Sequence, residues 1–139
     1  MRLDRFGMLS RPLRRALAGL WMAGACLAGM TAILSFTHHL DQAVPYTVIT
    51  VALALMAVYT ARGQRVVLLV GLAICSLQPI AAIAAAWELV NGIARSQVRK
   101  LDDLGIDPTF GVALNVVFSV VASLLAVWAY REWRAAGSR

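Results

Sequence analysis

A charged side chain held inside a long apolar stretch would be the strongest sign of chemistry in this chain. Such a charge is costly in lipid and usually lines a path or a site. No Asp, Glu, Lys or Arg falls within residues 16–37, 42–61, 66–87 or 108–130. Glu88 comes nearest, at the end of the third stretch and beside Trp87. It reads either as a solvated interfacial carboxylate or as part of an outward-facing pocket. His38 and His39 lie at the end of the first stretch, with Asp41 nearby. Imidazole and carboxylate suit zinc or copper. Adjacent residues on a helix point about 100° apart, so the pair reads as interfacial histidines and no metal is expected. Proton sensing is the other chemistry that histidine offers at such a boundary.

Uncharged polar groups form a second set. Counted from the ends of their stretches, Thr50, Gln78 and Asn115 lie about 12, 14 and 11 Å deep at 1.5 Å per residue, so they can share one layer. Ser119 and Ser123 follow Asn115 at intervals of four, on the same helical face. Two readings stand. The layer is interhelical glue, in which such bonds average about 0.6 kcal/mol. Or it is a small polar cavity open to the outside, with His38, His39 and Glu88 at its mouth. Cys26 and Cys75 share a depth but form no Cys-x-x-Cys pair, and read as buried thiols acting as small apolar residues. The chain carries no phosphate-binding loop, dinucleotide fingerprint, nucleophile elbow or zincin helix. No catalytic group and no cofactor is implied, and the expectation is a protein that is not an enzyme.

The elements that must position these residues follow from composition. Of 139 residues, 60% are apolar and 14% charged, against about 45–50% and 25% in a soluble domain. The four uncharged stretches are 22, 20, 22 and 23 residues long and hold 87 of the 139. A helix needs about 20 apolar residues to cross a bilayer. Spans at about 16–38, 43–61, 66–88 and 108–130 are therefore predicted, as one membrane domain. The remaining pieces are too short to bury a soluble core.

Ten of the thirteen basic residues sit before residue 16, in the 62–65 turn, or after residue 130. Four crossings place all three regions on one side, which then carries +8 against −2 on the other. The positive-inside rule makes that side cytoplasmic, with both termini in. The same distribution argues against a nucleic-acid partner, because no clustered basic face results. Trp21, Tyr59, Trp128, Tyr130 and Trp133 fall near the inner interface, and Tyr46, Trp87 and Phe110 near the outer one, as aromatic belts require. Twelve Arg against one Lys, with abundant Ala, Val, Leu and Gly, suggests a bacterial source, and hence the plasma membrane. The first span is longer than a signal-peptide core, and no small-residue cleavage site follows it; it is expected to be retained.

Local signals set the helix ends. Residues 1–15 read as a basic lead, either a surface helix with Leu3, Phe6, Leu9 and Leu13 on one face or a disordered anchor. Pro45 is placed in the first turn of the second span. Gly63 suits the left-handed position after a helix end. The third helix is expected to continue past Glu88 through an outer amphipathic segment, 89–104, giving 40 residues or about 60 Å from Arg65 to Leu104. Pro79 should kink it. Asp107-Pro108 reads as the cap and first residue of the fourth span.

In lipid, close backbone approach and interhelical hydrogen bonds hold helices together. Small residues recur at helical spacing in each span, as at Thr47, Thr50, Ala54, Ala57 and Ala61, and at Ala18, Ala25, Gly29 and Ala32. The expected fold is all-α: an up-down-up-down four-helix transmembrane bundle. The expected function is a non-enzymatic accessory or assembly subunit packed on another membrane protein. The alternative is a homo-oligomeric channel, holin-like pore or small transporter, lined by Thr50, Gln78, Asn115, Ser119 and Ser123.

Overall fold

The computed structural model describes residues 9–38 and 40–137, without the side chain of His38. They form α1 (Arg11–His38), α2 (Leu40–Ala61), α3 (Arg65–Asn91), α4 (Arg95–Asp103) and α5 (Pro108–Gly137). No strand occurs among the described residues. Four helices, all but α4, are long and apolar enough to cross a membrane. Their exposure pattern is compatible with a membrane protein. Only 17% of the most apolar window of α2, and the same share in α3, is buried inside the molecule. Ile80, Ile83 and Val90 are 70%, 71% and 83% exposed. An apolar exterior of this extent marks contact with lipid or with other proteins.

The helices associate as two pairs. α1 packs most extensively on α2, and α3 on α5, while contacts between the pairs are fewer. Small residues set these approaches. A methyl group added to Gly29 would lie 3.4 Å from Thr50 Cγ2, which brings α1 close to α2. One added to Gly24 would lie 3.4 Å from both Leu53 and Phe118, where α1 meets α2 and α5. The core cluster joins Leu9, Leu13, Leu17, Leu20 and Trp21 to Ala57, Leu68, Cys75, Ala122, Leu125 and Ala129. All of these lie in the half of the bundle nearer the 62–64 turn, so that end is closely packed. Cys75 belongs to this core, whereas Cys26 is exposed on α1, so the expectation of two buried thiols holds for one of them.

The tight end is closed by two devices. Gly63 takes φ +76°, and the N–H groups of Gly63 and Gln64 donate to the carbonyls of Thr60 and Tyr59 at 3.0 and 3.1 Å. Ser10 precedes α1 and its hydroxyl accepts from the Leu13 N–H at 3.4 Å. Its own N–H and hydroxyl donate to the two carboxylate oxygens of Glu132 at 2.9 and 2.6 Å. A carboxylate from the last turns of α5 thus completes the cap of α1 and faces the positive end of its dipole.

Three expectations are corrected. Trp21 is not in an interfacial belt: it is 2% exposed, and a methyl group on Gly71 of α3 would stand 3.3 Å from its indole. Gly71 leaves the space that the ring fills. Pro45 is not in the first turn of α2, because that helix already begins at Leu40. The third helix is not continuous to Leu104. It stops at Asn91, where Gly92 adopts φ +103° and donates to Glu88 O at 2.9 Å. α4 then folds back so that Leu101 meets Gly111 of α5, and Leu104 is buried. A straight helix would have left this apolar side without a partner.

Just past the end of α4, Gly105 takes φ +70°, and the Ile106 N–H donates to Leu101 O at 2.8 Å. The start of α5 follows its sequence signal. Asp107 Oδ1 accepts from the N–H groups of Thr109 and Phe110 at 2.8 and 3.3 Å.

Candidate functional site

The end of the bundle opposite the 62–64 turn is more open, and a cavity of about 330 Å³ lies there, lined by all five helices. α2 contributes Gln42 and Tyr46, four residues apart and so on one face. α1 contributes Thr31, α3 Glu88, and α5 Val112 and Asn115. α4 lays Gln97, Lys100 and Leu101 over it, and Leu104 and Ile106 complete the wall. The break at Gly92 positions this layer, since it turns α4 back toward α5.

Glu88 and Lys100 bring opposite charges to one space from different helices. Among the described residues, neither side chain has a hydrogen-bond or ion-pair partner, and the same is true of Asn115 and Tyr46. The arrangement offers a carboxylate, an ammonium, an amide and a phenol to whatever occupies the cavity. Among the described residues, no three of His, Cys, Asp or Glu are gathered as a metal site.

The structure separates the residues singled out from sequence into three groups. Glu88 and Asn115 meet in the cavity. Gln78 and Ser119 meet elsewhere: Ser119, fully buried, donates to Gln78 Oε1 at 3.1 Å and ties α5 to α3. Thr50 and Ser123 are turned to their own helices, donating to Tyr46 O and Ser119 O at 2.7 Å each. None of Thr50, Gln78, Ser119 and Ser123 is in the cavity lining. His39, and the side chain of His38, lie outside the described residues.

Gln42, Tyr46, Gln97 and Lys100 were not foreseen. Their signal was the spacing of 42 to 46 and of 97 to 100, one helical turn in each case. It was readable only once α4 was known to turn back.

A second feature lies on the outer surface. α3 and α5 form an apolar groove of about 310 Å³, floored by Ala73, Ser76, Ala126 and Ala129 and flanked by Leu69, Leu72, Tyr130 and Trp133. The Tyr130 and Trp133 rings lie 6.1 Å apart at 32°.

No protein-family model matches the chain, and no curated protein or solved structure matches it.

Proposed function

We propose that the chain is a non-enzymatic accessory or assembly subunit of a larger membrane complex. In this reading it lies in the plasma membrane with both termini cytoplasmic. The groove between α3 and α5 carries the proposal. Hydrophobicity does not press helices together in lipid, so association needs a surface where backbones come close. Ala73, Ser76, Ala126 and Ala129 supply such a floor, and in this reading a transmembrane helix of the partner docks on it. The charge difference of +8 against −2 between the two sides supports the orientation.

Purification in mild detergent at native expression, followed by native mass spectrometry, tests this. The expected result is a stoichiometric larger membrane protein, lost when Ala73→Trp, at an exposed position of the lining, fills the groove. A chain that elutes alone or as a clean homo-oligomer would overturn the reading.

The cavity favours a second reading, a homo-oligomeric channel, holin-like pore or small transporter, because it reaches Asn115, an exposed amide eight residues beyond Asp107. Flux through liposomes that is unchanged by Asn115→Leu would remove that reading.

A further inference from the structure

The cavity at the α4 end has a chemistry that a docked subunit does not use. Glu88 and Lys100 share it, and among the described residues neither has a charged partner. Glu88 is half-buried and Lys100 exposed, so both charges are open to a ligand that enters the cavity. One ligand can satisfy both if it carries a cation at one end and an anion at the other. Asn115, Tyr46 and Gln42 add uncharged hydrogen-bonding groups around it.

Position narrows the ligand. Glu88 follows the apolar run 66–87 directly, and Trp87 beside it is 69% exposed. Indole rings favour the headgroup level of a bilayer. The cavity therefore lies at the depth of phospholipid headgroups, and Leu101, Leu104 and Ile106 give it an apolar wall beside the charged one. Glu88 can accept hydrogen bonds from a primary ammonium but not from a trimethylammonium group, which has no N–H. A headgroup without a cation would leave Glu88 unpaired beside added negative charge.

We propose that this cavity binds the headgroup of a zwitterionic phospholipid bearing a primary ammonium, that is, phosphatidylethanolamine chemistry. Glu88 accepts from the ammonium and Lys100 faces the phosphate. The same ammonium–phosphate chemistry occurs in soluble phosphoethanolamine, so the experiment separates the two sources.

The full chain in nonionic detergent is titrated with phosphatidylethanolamine, phosphatidylcholine and phosphatidylglycerol of matched acyl chains, and complexes are counted by native mass spectrometry. Phosphatidylethanolamine should bind about tenfold more tightly than phosphatidylcholine, the equivalent of one charge-assisted hydrogen bond. Glu88→Gln should abolish that preference. Lys100→Gln should weaken both lipids, because both carry the phosphate. Melting without lipid checks that the variants are folded, and the wild-type comparison of the two lipids stands without them. Equal affinity for the two lipids, or a preference that survives Glu88→Gln, would overturn the proposal. Soluble phosphoethanolamine binding as tightly as the lipid would overturn the lipid assignment and give the site to a free solute. Every outcome is independent of whether a partner protein is recovered.

Discussion

Most hydroxyls in the spans close on their own helices. Thr31, Ser35, Thr47, Thr50, Ser76 and Ser123 each donate to the carbonyl four residues earlier, at 2.7–3.0 Å. In an apolar surrounding that carbonyl is the nearest acceptor. Ser119 instead donates across to Gln78, and Thr60, 1% exposed, has no partner for its Oγ1 among the described residues. Thr60→Val keeps the shape and removes the unpaired group, so it should stabilise the fold by about 1 kcal/mol; a lower melting temperature in detergent would contradict this. Glu132 predicts the opposite sign. Glu132→Ala removes both acceptors from Ser10 and should cost about 1–2 kcal/mol, read from the same melts. The layer of Thr50, Gln78 and Asn115 was only partly legible because spacing gives a face and a depth, not the acceptor a hydroxyl takes. Gln78 did find a cross-helix partner, but it was Ser119.

At the scale of elements, the uncharged runs located all four long helices but not their ends. α1 begins at Arg11 and α5 runs to Gly137, each several residues beyond the apolar run. Charges mark where lipid stops, and a helix can continue into water. The break at 92–94 was not legible for a different reason. A lone Gly with no proline after it reads as a tolerated interior residue, and the turn is favoured by the packing of Leu101 on Gly111 and the burial of Leu104. Gly92 has nothing within 4 Å of the place where a Cβ would stand, yet its φ is +103°. Gly92→Val should therefore act through the backbone, costing about 1–3 kcal/mol. The expected readout is faster hydrogen exchange in α4 with little change in α1 and α2. Exchange rates matching the wild type would mean that α4 does not depend on this conformation.

The whole molecule is tight at one end and open at the other. The orientation proposed for it is tested with single cysteines in a chain lacking Cys26 and Cys75. A membrane-impermeant maleimide should label Ser96→Cys in intact cells, and Gln64→Cys only after permeabilisation; the reverse pattern would invert the topology. Both positions are exposed. The two helix pairs are each local in sequence, α1 with α2 and α3 with α5, whereas Ser10 and Glu132 are 122 positions apart. A ribosome adding about 5–20 residues per second delivers Glu132 roughly 6–24 s after Ser10. The first pair can form during that interval, while the cap of α1 waits for its acceptor. A nascent chain stalled before residue 132 would hold its hairpins but not the latch that joins them.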